Sequence, residues 1–207
     1  CRNIIAAARH LQRPDGLVLH AWTTEPEKAV WADKQTGLSP EVWSEGMGWY
    51  TLVVPELLAV LPKTHPDYER ILDIYIKMCR GLKSVQDKST GGWFMVVDKG
   101  DNPLNFIDPS GTAMFVYSLR RGINLGLLKP KEYMPVVTKG YESLRPFIQV
   151  NEQGLLDVIG ACDGVVIKKN FIEYVTVPKI LNAKEAVAGV LWAAVIMESD
   201  KLIINNE

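Results

Sequence analysis

The sequence predicts an all-α protein built from helical hairpins, and three observations lead there. Apolar residues recur at three- and four-residue steps over most of the chain, with no long alternating strand between them. Three segments share one pattern: "HLQRPDGLVLHAW" from His10, "SVQDKSTGGWFMVVDKG" from Ser84 and "FIQVNEQGLLDVIG" from Phe147. In each, a helix ends near a glutamine, a polar turn with glycine follows, and a short apolar stretch comes next. Those glutamines (Gln12, Gln86, Gln149) stand 74 and 63 residues apart, which is room for two helices and two loops. Solenoid repeats usually run about 34–47 residues. The longer period, with long loops rich in tryptophan, glycine and acid, suits a closed ring of hairpins with a site at one end better than an open stack.

The elements follow in order. "CRNIIAAARHLQ" reads as the later part of an amphipathic helix. Pro40 at a first turn starts a helix over 40–61, which "PKTHPD" ends. The next covers 67–85, with Ile71, Ile74, Tyr75, Met78, Leu82 and Val85 on one face. Two more are predicted over 110–125 and 131–147, and a last one over 184–199. That makes about six helices, half of a twelve-helix ring, with short extended pieces in the loops. The whole of 1–207 reads as a single domain.

Net charge and cysteines narrow the function. A formal charge of −1 leaves no electrostatic footprint for nucleic acid or an anionic membrane. Cys1, Cys79 and Cys162 are odd in number and far apart, so neither a disulfide framework nor a zinc spacing can be read from them. The longest apolar run, 186–197, is short of the ~20 residues a bilayer needs, so no membrane span is expected. No signal peptide is visible. A chain opening on Cys1 inside a helical pattern reads as a fragment rather than a lipoprotein, whose cysteine would precede a polar tether.

One stretch asks for chemistry. "SPEVWSEGMGWY" puts Glu45, Gly46 and Gly48 between Trp43 and Trp49. The two indoles are six residues apart, about 600° of helical rotation, so they project to different sides. Either both fill the core or one lines a ligand site with its flat face. The glycines admit either a ligand or a neighbouring helix. Glu45 gains from a helix N-terminus, or accepts from the hydroxyls of a ligand.

Together with "GLVLHAW", "WADKQTGLSPEVWSEGMGWY", "HPDYERIL", "VQDKSTGGWFMVVDKGDNPLNFIDPSGTAMFVYSLRRGINLGLL" and "VNEQGLLDVIGACDG", the chain resembles the unsaturated rhamnogalacturonyl and glucuronyl hydrolases of glycoside hydrolase family 105. The resemblance runs over about residues 10–198. It implies an (α/α)6 toroid, present here as an incomplete one corresponding to its C-terminal half to two-thirds, without the N-terminal helices. It also implies removal of a terminal 4,5-unsaturated uronic acid from lyase-generated oligosaccharides. An aspartate protonates the vinyl ether double bond, water adds at C5, and the hemiketal opens to release the next sugar. No metal and no other cofactor is called for. The expected partners are an unsaturated uronyl oligosaccharide and either the missing N-terminal half of the toroid or a second copy. Periplasmic and cytoplasmic glycan breakdown fit equally.

Two departures stand out. The family's aspartate lies N-terminal to the "HAW" segment by more residues than precede it here, so the general acid is expected upstream of Cys1. Glu45 stands where many members carry arginine, which leaves the sugar's carboxylate to another partner. Residue by residue, the resemblance implies a ligand contact for His20 and favours Trp43 over Trp49 as the platform. Asp108 and Ser110 open a helix, where capping explains them, yet the matching family segment lies at the mouth. Lys184, at the last helix start, is a candidate cation for the uronate. Asp33 reads as a loop staple, His10 and His65 as structural, and Asp98, Lys99 and Asp101 as a solvated turn. Two rival functions are an inverting glycosidase using Glu45 with Asp108 or Asp33, and a non-catalytic glycan- or protein-binding array.

Overall fold

A computed structural model describes residues 1–204 of the chain, with side chains described to residue 199. It is mostly helical. The order is α1 (Arg2–Leu11), α2 (Ser44–Val60), α3 (Tyr68–Val85), α4 (Pro109–Asn124), α5 (Pro130–Glu142), a 3-10 turn (Arg145–Phe147), β1 (Ile148–Val150), β2 (Leu156–Val158), α6 (Phe171–Val175) and α7 (Lys184–Ile204). The strands form one antiparallel hairpin with Gln149 opposite Asp157. Helix α4 sits centrally and packs on α2, α5 and α7, while α3 packs on α1 and α2. No helix of the described residues is long and apolar enough to cross a membrane.

The repeated glutamine has a mechanical role. At the end of α1, the Gln12 amide donates to Gly16 O (3.3 Å) and to Ile74 O on α3 (3.0 Å). At the end of α3, Gln86 donates to Gly91 O (2.7 Å) and to Val136 O on α5 (2.9 Å). Each amide ties its own glycine turn to the next helix of the series α1, α3, α5. Gly16 and Gly91 have positive φ (90° and 83°) and press on the carbonyls of Lys77 and Lys139, three residues beyond the clamped ones. A Cβ at Gly16 would lie 2.0 Å from Lys77 O, so glycine is required on both conformational and steric grounds. The third member departs: Gln149 is exposed and lies in β1.

The main core lies between these helices. Trp93 is fully buried, donates its indole N–H to Leu82 O (2.8 Å) and packs edge-on to Phe115 at 5.5 Å. Its ring fills the space left open by Gly140. Helices α2 and α4 approach closely at two glycines, Gly48 against Met114 and Gly111 against Ser44.

Two predicted boundaries shift, and one helix is added. Helix α2 begins at Ser44, not near Pro40, because residues 41–44 are taken into loop pairing. Glu41 O accepts from His20 N–H, Val42 O from Val97 N–H, and Ser44 N–H donates to Met95 O. The fifth helix stops at Glu142, short of 147, and Pro146 then sits in a 3-10 turn. Proline removes a donor and disfavours helix in the residue before it. Helix α6 was not foreseen. Five residues are too few to show a helical period, and only Asn170, which accepts from Glu173 N–H (3.1 Å), marks its start.

The loop 98–101 is not simply solvated. Asp98 pairs with Arg13, and Lys99 Nζ lies 2.7 Å from Oε1 of Glu41, a carboxylate only 4% exposed. Asp33 is a turn staple: its Oδ1 accepts from the backbone N–H of Gln35 and from both N–H and hydroxyl of Thr36. Those bonds hold its carboxyl below the ordinary value.

Candidate active site

Three pieces meet at the start of α2: the loop carrying His20, the N-terminus of α4, and the segment from Cys162 to α7. Trp43 is the residue before α2 and pairs with Val96. Its indole is 7% exposed, buried with Met95, Val96, Cys162, Val165 and Tyr174. The His20 ring leans on it at 4.5 Å. Trp49, one and a half turns further on, is 40% exposed and meets Trp192 of α7 edge-on at 5.9 Å. The accessible indole face is therefore that of Trp49, the reverse of the order the resemblance favoured.

The glycines divide as packing requires. A Cβ on Gly46 would lie 2.7 Å from the Trp43 ring and 3.5 Å from His20 Cδ2; one on Gly48 would meet Met114 Sδ at 2.6 Å. Both absences make room for this chain's own side chains.

Glu45 lies in the first turn of α2 and is 3% exposed. Its Oε2 is 3.0 Å from Ser110 Oγ, and that hydroxyl is 2.8 and 3.0 Å from the two oxygens of Asp108. Asp108 caps α4, accepting from the backbone N–H groups of Ser110 and Gly111 (3.1 Å each) and from the Ser44 hydroxyl. Ser110 has one proton to give. When it goes to Asp108, the contact with Glu45 closes only if Glu45 is the donor. Burial, then the Asp108 charge, raise the Glu45 carboxyl to about 7; Ser110 opposes this, Glu185 adds to it, and the indole of Trp49 opposes it again. Glu45 thus carries a proton well above the usual carboxylate range and sits against α4 rather than in open solvent.

His20 is half-buried. Its backbone N–H donates to Glu41 O, and Nδ1 lies 2.7 Å from the Tyr174 hydroxyl. Burial lowers its pKa to about 4, so the ring is neutral at pH 7. It lines a groove of about 360 Å³ with Leu19, Gly46, Trp49, Tyr50 and Val53. Trp49 also borders a second groove of about 440 Å³ formed with Val53, Leu57, Val60, Tyr117 and Trp192.

Lys184 opens α7 with its side chain 81% exposed and Nζ 3.6 Å from Glu185 Oε1. The structure thus brings His20 and Trp49 to one mouth, with Trp43 buried against the His20 ring. Glu45, Ser110 and Asp108 form a buried cluster behind it, and Lys184 stands outside. Sequence reasoning passed over Glu185, one residue beyond Lys184, and Tyr174. The second was detectable only through the "NFIEY" capping pattern. Among the described residues, one other group of side chains has a claim on a metal, and it is a poor one. Cys1, His65 and Asp67 bring ligand atoms within 4.8 Å of one another, but His65 Nδ1 already accepts Asp67 N–H (3.1 Å). A neutral ring then has no lone pair left on Nε2. His10 stacks on Trp22 at 3.7 Å.

A family model described as Glycosyl Hydrolase Family 88 matches residues 1–200. The chain belongs to Glycosyl Hydrolase Family 88. A solved glycoside hydrolase of family 105 from C. acetobutylicum ATCC 824 superposes with a TM-score of 0.88 and 28% identity, covering 95% of this chain and 56% of that one. Protein Atu3128 of Agrobacterium fabrum is 28% identical over 163 residues, 77% of this chain and 69% of that protein. An unsaturated 3S-rhamnoglycuronyl hydrolase of Alteromonas sp. (strain LOR) is 32% identical over 108 residues, 51% of this chain and 25% of that enzyme. The Family 88 chain described here thus spans little more than half of the solved relative.

Proposed function

We propose that residues 1–207 supply the sugar-holding wall of an (α/α)6-toroid glycoside hydrolase that removes terminal 4,5-unsaturated uronic acid by hydrating its double bond. The observation that carries this is the juxtaposition, in a Family 88 chain, of His20, Gly46 and the exposed Trp49 along one groove. Trp49 offers a flat face to the C–H side of a sugar ring, and neutral His20 offers a hydrogen bond to its oxygens. Glu45 acts indirectly, from its buried place one turn before Trp49 on the same helix. Asp108 and Ser110 hold Glu45 in place, and the exposed Lys184, paired with Glu185 at 3.6 Å, can swing toward a uronate carboxylate. The proton that starts hydration comes from an aspartate N-terminal to the His20 segment. Water then adds at C5, and the hemiketal opens.

An inverting two-carboxylate scheme is disfavoured. Such a pair needs about 6.5–9.5 Å for the water between its members. Glu45 and Asp108 instead hold the same hydroxyl at 3.0 and 2.8 Å, and Asp33 is committed to its turn.

The test is an assay of the polypeptide as expressed from its gene, on a lyase-generated disaccharide and on its saturated counterpart. Loss of the double-bond ultraviolet absorbance, with release of the second sugar only from the unsaturated substrate, supports the reading. Cleavage of the saturated glycoside at a similar rate contradicts it.

A further inference from the structure

Helix α6 is five residues long, yet one face of it is firmly packed. Phe171, Tyr174 and Val175 join Trp43, Met95, Val96 and Cys162 in a cluster separate from the main core. Its one fully buried residue, Tyr174, is 0% exposed and places its hydroxyl 2.7 Å from His20 Nδ1, across 154 residues of sequence. A tyrosine whose sole purpose was packing would have no need of that contact, and phenylalanine would serve.

We propose that Tyr174 is a positioning residue: its phenol donates to Nδ1 of His20 and locks the ring as the Nε2–H tautomer, which presents a hydrogen-bond donor to the groove. The sugar's part in this rests on the function proposed above; the lock itself does not. Between a phenol and a neutral imidazole, O–H donation to the bare ring nitrogen is the favoured sense, because that nitrogen is the stronger acceptor. Burial holds both partners neutral, His20 with its pKa lowered to about 4 and Tyr174 raised to about 12. On the ring edge away from Nδ1, Cδ2 faces Gly46, the residue that borders the groove beside it. Among the described residues, Nε2 has no hydrogen-bond partner of its own. A donor held there suits an oxygen with lone pairs, either a carboxylate or a hydroxyl of the uronyl unit. Fixing the tautomer beforehand spares the ligand the cost of selecting it.

Long-range proton–nitrogen NMR on the histidine-labelled chain reads the tautomer directly, with three histidines to assign. In the wild-type protein at pH 8, His20 is expected to show a protonated Nε2 and a bare Nδ1. A protonated Nδ1 overturns the proposal, and this arm needs no variant. In Tyr174→Phe the signals are expected to move toward a mixture of tautomers; an unchanged Nε2–H pattern in a folded variant overturns it too. Affinity of the expressed polypeptide for an unsaturated uronyl disaccharide is expected to fall about five- to tenfold in Tyr174→Phe and further in His20→Phe. Unchanged affinity in both, with the tautomer result as expected, leaves the lock standing and overturns the functional reading instead.

Discussion

Two ionisable side chains at the α2 mouth, buried Glu45 and half-buried His20, pull stability in opposite directions with pH. Glu45 has its pKa raised from 4.5 to about 7, so the folded protein keeps a proton that the unfolded chain releases. Its contribution is full below pH 4.5 and is lost as pH rises through 7. His20 is lowered from 6.5 to about 4, so the unfolded chain takes up a proton the folded one refuses. Its contribution is full above pH 6.5 and is lost as pH falls through 4. Between pH 4.5 and 6.5 the two slopes oppose each other. Each is worth on the order of 3 kcal/mol across its window, at about 1.4 kcal/mol per unit. Relative to wild type, Glu45→Gln is predicted to gain stability as pH rises from 4.5 to 7, and His20→Gln to lose it from 4 to 6.5. Urea titrations at intervals of pH check both signs, and parallel wild-type and variant curves would contradict them. The motif carrying these residues was legible in the sequence. The direction in which Glu45 points was not, because its partners Ser110 and Glu185 lie 65 and more residues away.

At the scale of elements, the repeat of glutamine followed by a glycine turn is what makes the hairpins alike. Gln12 and Gln86 each bind two carbonyls, one local and one on a neighbouring helix, and both are partly buried. Gln86→Ala removes both of its hydrogen bonds and leaves the Gly91 carbonyl without its donor, and is predicted to cost about 1–3 kcal/mol. Gln149→Ala, at an exposed strand position, is predicted to change stability by no more than about 0.5 kcal/mol. Chemical denaturation of the two variants separates a structural repeat from a coincidence of sequence. Gly111→Ala tests the α2–α4 approach: its Cβ would lie 2.6 Å from Ser44 Cβ and 2.9 Å from the Ser44 carbonyl carbon. Overpacking of that kind costs about 1–3 kcal/mol. Helices α3 and α4 were readable because their apolar periods are local. The start of α2 and the whole of α6 were not, since pairing with Met95 and Val97 decides the first and the Trp43 cluster decides the second.

The whole molecule leaves an apolar strip uncovered. Trp49, Val53 and Val60 on α2, with Leu191, Trp192 and Val195 on α7, are exposed along one side. The groove between Trp49 and Trp192 lies within that strip. In an (α/α)6 toroid, that side would meet further helices. The polypeptide 1–207 studied by itself is predicted to self-associate in sedimentation, and Trp192→Ser to weaken the association; a monomer at high concentration would contradict this. It is also predicted to leave an unsaturated disaccharide unhydrated. Most direct of all is calorimetric titration of the expressed polypeptide and its Trp49→Ala variant with an unsaturated uronyl disaccharide. Trp49 is exposed enough for the substitution to spare the fold. The predicted result is binding by the wild type, weakened about tenfold in the variant. Equal affinity in the two would mean that the sugar does not lie on this face.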